Sequence, residues 1–183
     1  MQRPSPFDPS PVHGDTAPAL TGLLQTAPAR VPVTMVLLAS NILIFVAMLY
    51  YGASLWHTST TVPLAWGANF GPATQDGQWW RLGTAMFLHF GVVHLALNMW
   101  ALWDIGRLLE QVYGRWRYAL LYLGAGVFGN LLSLVIQGNQ AVSGGASGAI
   151  FGLYGALVLP QALAGALLLA RVRGVSAVQS SSR

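Results

Sequence analysis

His94, Asn98 and Ser147 are the side chains whose types and spacing could do covalent chemistry. His94 and Asn98 are four residues apart, so a helix would carry them on one face. His89 sits five residues before His94, turned well away from that face. Ser147 lies within Gly144-Gly145-Ala146-Ser147-Gly148. Glycines around a serine allow close backbone approach and leave the hydroxyl unshielded. A serine opening a helix also has unsatisfied backbone N–H groups beside its own oxygen. Those groups, with an imidazole and an amide from a neighbouring helix, would make an oxyanion hole, in which one donor is worth about 2.7–4 kcal/mol of transition-state stabilisation.

Structural readings fit the same residues. Gly144, Gly148 and Gly152 recur at four-residue spacing, which is what tight packing of membrane helices needs. A His–Asn pair inside a membrane also serves as a plain interhelical hydrogen bond. On spacing alone these alternatives stay open, and His13 and His57 read as inert. Other catalytic patterns fail. The histidines do not have H-E-x-x-H spacing, which argues against a zinc protease. Ala149 stands where a G-x-S-x-G elbow needs glycine. No phosphate loop or dinucleotide fingerprint appears. The absence of cysteine excludes disulfides, thiol nucleophiles and Cys-zinc sites. No metal site and no organic cofactor are expected.

The elements that must hold these groups follow from composition. The 183 residues are 54% hydrophobic and only 8% charged, where a soluble domain carries roughly 25% charge. With a mean hydropathy of +0.54, the chain reads as an all-α, multi-pass transmembrane helical bundle. Residues 1–32 are rich in proline and polar groups and read as a disordered tail; their pattern suggests no cleaved signal. The transmembrane domain is expected over 33–170, with spans at about 33–51, 82–103, 118–136 and 144–170, and a polar tail over 171–183. Between the first two spans, helix breakers and Trp56, Trp66, Trp79 and Trp80 suggest a long loop at the membrane interface. Asp104 to Arg117 reads as a charged loop. Pro160 makes the fourth span the least regular.

The arginines suggest an orientation. With both termini cytoplasmic, Arg3, Arg30, Arg107, Arg115, Arg117, Arg171, Arg173 and Arg183 fall inside and Arg81 alone outside. The arginines form no basic stripe, so the net charge of +4 is read as topology and not as a nucleic-acid footprint. The expected surroundings are the lipid bilayer. A short chain without a transit-like start suits a bacterial plasma membrane.

Taken together the residues resemble the rhomboid family of intramembrane serine proteases. The match runs through Trp80-Arg81, His89-x4-His94-x3-Asn98, Asp104-Ile105-Gly106-x3-Glu110, Gly114 and Gly145-Ala146-Ser147-Gly148, and covers roughly Val33 to Leu159. The resemblance implies a Ser–His dyad cleaving transmembrane-segment substrates. Ser147 would be the nucleophile, and its N–H, His94 and Asn98 would stabilise the oxyanion. His89 would support the second span and admit water. Arg81 and Glu110 would be structural, like Trp80, Gly145 and Gly148. Phe151 stands where the family often has a tyrosine stacked on the catalytic histidine.

The chain departs from the family at its far end. The family's general base is a histidine on a sixth span, and no histidine follows His94 here. The fold is therefore expected to be incomplete, about four spans in place of six, with no general base found. A serine without a base is a poor nucleophile. The alternatives are an inactive pseudoprotease that binds membrane-protein clients, a non-functional gene fragment, or a small transporter or channel subunit using His94 and Asn98 as a polar relay.

Overall fold

Helices dominate because most of the chain is apolar and, in hydrocarbon, a helix satisfies every interior backbone N–H and C=O within itself. The computed structural model describes residues 30–56, 60–138, 141–160 and 162. From Val31 onward they belong to one unit. Outside the described residues lie most of the first expected tail, all of the second, His13, His57 and most of the fourth expected span beyond Pro160.

The first helix, α1 (Pro32–Tyr50), starts on a proline, whose missing N–H costs nothing in the first turn. It is apolar all round but buries only Thr34, Asn41, Phe45 and Met48. Val36, Leu43 and Val46 point outward, as a lipid-facing helix requires.

After α1 comes the expected interfacial segment. It is not plain loop: it holds α2 (Thr61–Ala65), β1 (Asn69–Phe70) and α3 (Gly71–Gln75). Arg81 ties it down, donating from Nη1 to the carbonyls of Leu64 (2.8 Å) and Ala68 (3.0 Å) and from Nε to Gln78 (2.8 Å). Its guanidinium lies 4.9 Å from the Trp80 ring centroid. Arg81 is only 8% exposed, and these bonds replace the water it has lost. Thr84 Oγ1 adds a 2.8 Å bond to the Gly67 carbonyl.

Two expected boundaries are corrected. The uncharged run 82–103 is not one straight helix. It is α4 (Arg81–Thr84) and a 3-10 turn (Ala85–Phe87), followed after a break by α5 (Val92–Tyr113), with a bend of 93° between the two parts. The break falls at Gly91, whose φ is +102°, outside the helical region. Nor is 104–117 a loop. Helix α5 continues to Tyr113, and α6 (Arg115–Gln137) starts directly after Gly114. Lack of charge measures fitness for hydrocarbon, not helicity. Leu102, Ile105, Gly106, Leu109 and Glu110 keep the helical period and are buried, while Asp104 and Arg107 sit exposed on the other side.

The strand β2 (Val142–Ser143) pairs antiparallel with β1, Asn69 opposite Ser143 and Phe70 opposite Val142. The last described helix is α7 (Ser147–Pro160). Helices α1 and α6 are each long and apolar enough to cross a membrane, and the bent pair counted as one makes a third. The core gathers Met86, Leu102, Ile105, Leu109, Tyr118, Tyr122, Ala146, Ala149, Ile150 and Leu153, so α7 starts inside the packed centre and not at its edge.

Candidate active site

Ser147 is the first residue of α7, where backbone N–H groups have no acceptor within the helix. Two close approaches fix its place. The Gly145 N–H donates to the Ala85 carbonyl at 2.8 Å, pinning the turn to the 3-10 segment. Gly148 meets Gly129 of α6 backbone to backbone; a Cβ on Gly129 would stand 2.9 Å from the Gly148 Cα. The glycines singled out for packing do pack, and the packing is what sets the serine in position.

Helix α5 supplies the opposite wall. His94, Leu97, Asn98 and Ala101 line a cavity of about 240 Å³, together with Ser147, Ile150, Phe151 and Tyr154 of α7. Each set runs i, i+3, i+4, i+7, so each is one helix face turned to the same space. The expected nucleophile and both expected oxyanion donors therefore share one cavity.

The orientation of His94 follows from its neighbours. The Phe90 N–H donates to Nδ1 over a long 3.4 Å. A neutral imidazole that accepts at one nitrogen carries its proton on the other, so Nε2 is the donor. That edge faces the serine turn: a Cβ on Gly145 would lie 2.9 Å from Nε2 and 2.7 Å from Cε1. The ring also packs against His89 at 5.2 Å and Phe90 at 6.4 Å between centroids. Asn98 is buried, and its Nδ2 donates to the His94 carbonyl at 2.8 Å. One of its two amide protons is used there, which fixes the amide and leaves a second donor.

His89 is 1% exposed, at the break before α5. Neither of its ring nitrogens makes a well-formed hydrogen bond among the described residues. Phe151, at the position where the family often has a stacking tyrosine, is 75% exposed at the cavity mouth and makes no ring contact among the described residues. Trp80 and Arg81 belong to the interfacial segment and lie outside this cavity's lining. Glu110 is likewise remote from it and caps the start of α1. Its carboxylate accepts from the N–H groups of Val33 (2.9 Å) and Thr34 (2.8 Å) and from Thr34 Oγ1 (2.8 Å).

Sequence reasoning passed over Tyr154, though its place seven residues after Ser147 on a helix was a usable signal. It also passed over Asn69 and Asn130. Asn69 donates to the Asn130 carbonyl and Asn130 to the Leu82 carbonyl, each at 2.8 Å; these bonds tie the interfacial segment to α6. Nothing in their spacing announced that. Among the described residues, no three His, Asp or Glu side chains converge where a metal could sit.

A bent, membrane-embedded helical fold with a serine at a glycine-framed helix start, facing a histidine and an asparagine, defines the class as a rhomboid-like membrane protein. The model of the rhomboid domain matches residues 76–178, and the chain belongs to the rhomboid family. It is 42% identical over 125 residues to the rhomboid protease GluP of Bacillus subtilis (strain 168), covering 68% of this chain and 24% of that protein. It is 37% identical over 124 residues to the rhomboid homologue YdcA of the same organism, covering 67% and 59%. With the RHOMBOID-like protein 9, chloroplastic, of Arabidopsis thaliana it shares 39% over 101 residues, or 55% and 23%. The chain thus spans less than two thirds of each of these relatives.

Proposed function

We propose that this chain carries the nucleophile side of a rhomboid-type serine endopeptidase, acting on peptide bonds in or near transmembrane segments of other proteins. Ser147 Oγ attacks the scissile carbonyl. The Ser147 N–H, the free Asn98 amide proton and His94 Nε2–H receive the oxygen as it gains charge. The reading is supported above all by the shared cavity of His94, Asn98 and Ser147, with the Nε2 edge of His94 against the serine turn. The names of GluP and its kin as rhomboid proteases point the same way.

The serine proton needs an acceptor. His94 presents a donor on the side facing Ser147, and His89 lines no part of the cavity. No described residue therefore serves as general base, and loss of either Ser or His in a soluble serine protease costs about 10⁶ in rate. Weak cleavage by the described residues alone is the expectation, with a client-binding pseudoprotease as the second reading.

The test is cleavage of a single-span reporter in liposomes by the chain and by Ser147→Ala. Cutting that vanishes in the variant establishes the nucleophile. Cutting that survives removes Ser147 from the chemistry. No cutting by either protein moves the weight to the second reading, which requires reporter binding that persists in Ser147→Ala and in His94→Ala.

A further inference from the structure

Ser147 is joined to β2 by Gly144, Gly145 and Ala146, whose side chains amount to a single methyl group. Glycines leave a backbone little of its own to fix its course, so the near side of the serine is placed by whatever holds Ser143. That hold comes from the interfacial segment. Ser143 lies opposite Asn69 in the β1–β2 pair, but two paired residues are too few to stand unaided. The Asn69 side chain is fully buried and reaches two elements at once. Its Nδ2 donates to the Asn130 carbonyl of α6 at 2.8 Å and lies 3.4 Å from Ser143 Oγ, one amide proton for each. Ser143 Oγ is also 3.0 Å from Ser133 Oγ of α6. Strand β1 is fixed in its turn, since the Ala68 carbonyl just before it accepts from Arg81. On the other side of the turn the Gly145 N–H is held by the Ala85 carbonyl.

We infer that Asn69 is a positioning residue for Ser147, a clamp that carries the fixed geometry of the interfacial segment into the serine turn. Asn69 touches no reacting group and lines no part of the cavity; it acts through Ser143. Without its amide, β2 parts from β1 more often, the Gly145 N–H leaves the Ala85 carbonyl with it, and Ser147 drifts from His94 and Asn98. A misplacement of about 1 Å is enough to slow a positioned reaction strongly. The faces of α5 and α7 that line the cavity stay as they are, so substrate binding is untouched. The effect on cleavage rests on the protease reading, whereas the coupling of Asn69 to the turn does not.

The experiment follows amide hydrogen exchange at Gly145 in the full chain, labelled with 15N-glycine and held in nanodiscs. Asn69→Ala is expected to speed that exchange roughly tenfold, the local opening that one lost hydrogen bond permits. Glu110→Gln, which weakens the far end of the fold, leaves it unchanged. The chain has no cysteine, so Phe70→Cys with Val142→Cys, a directly opposed pair, gives a switchable cross-link. Opposed Cα atoms in an antiparallel pair stand about 4.5–5.5 Å apart, within disulfide reach. In the Asn69→Ala background the oxidised cross-link restores protection and reduction removes it again. A variant that folds only with the disulfide in place is read before and after reduction. Where the native chain cleaves a single-span reporter, Asn69→Ala lowers kcat about tenfold with KM unchanged, and the cross-link recovers it. Unchanged exchange in Asn69→Ala overturns the proposal. So does an equal acceleration in Glu110→Gln, a cross-link that restores nothing, or a kcat indifferent to Asn69→Ala. Absence of cleavage by the native chain counts against the protease reading alone, and the exchange and the cross-link then decide this one.

Discussion

Gly145 is the residue on which the proposed site turns. Its φ is +118°, and a Cβ there would meet the His94 ring at 2.7 Å, so alanine is refused by the backbone and by the neighbour alike. Gly145→Ala should displace the imidazole by the better part of an ångström and lower any Ser147-dependent cleavage by about 10²-fold. Histidine-labelled NMR checks this apart from activity: the His94 ring resonances should move. Asn98→Ala should remove one oxyanion donor and cost about 10²–10³ in rate, read as a fall in kcat with little change in KM. At this scale the sequence was largely legible. The four-residue step from His94 to Asn98 and the glycines around Ser147 are local facts that survive folding. The Nε2 proton of His94 was not legible, because it depends on the Phe90 N–H, which reaches the ring only after Gly91 breaks the chain direction.

At the scale of elements, Glu110 joins two helices that no sequence pattern pairs. A buried carboxylate, 3% exposed, takes two N–H groups and a hydroxyl at the start of α1, where the helix dipole also favours negative charge. Glu110→Gln puts an amide donor among donors, and the expected loss is about 1–3 kcal/mol of stability, measured as a lower unfolding midpoint in detergent. Gly148→Val should fail more completely, since its side chain would enter the α6 backbone at Gly129; loss of a monodisperse species on gel filtration is the readout. Hydropathy found α1 and the greater part of α6 because both are apolar through most of their length. It missed the course of α5, which carries Asp104, Arg107 and Glu110 within one continuous helix. Charge tells where hydrocarbon ends and leaves open where a helix does.

For the whole molecule, the arginine distribution carries an expected orientation, and that expectation can be measured directly. The chain has no cysteine, so single introduced thiols report without background. Arg117→Cys should react with an impermeant maleimide only after the membrane is opened, and Asp76→Cys, in the interfacial segment, should react from outside at once; the reverse pattern would invert the topology. The Glu110 cap carries a consequence for how such a molecule is made. Its partners lie 76 and 77 positions earlier in the chain. At translation rates of about 5–20 residues per second, the opening turn of α1 exists for roughly 4–15 s before its cap is synthesised. During that interval the opening turn of α1 must keep its free N–H groups in contact with water or headgroups, because hydrocarbon supplies no acceptor. Birth of the first helix and its final seating are thus separate events on the ribosome, and the arrival of a single carboxylate marks the passage from one to the other.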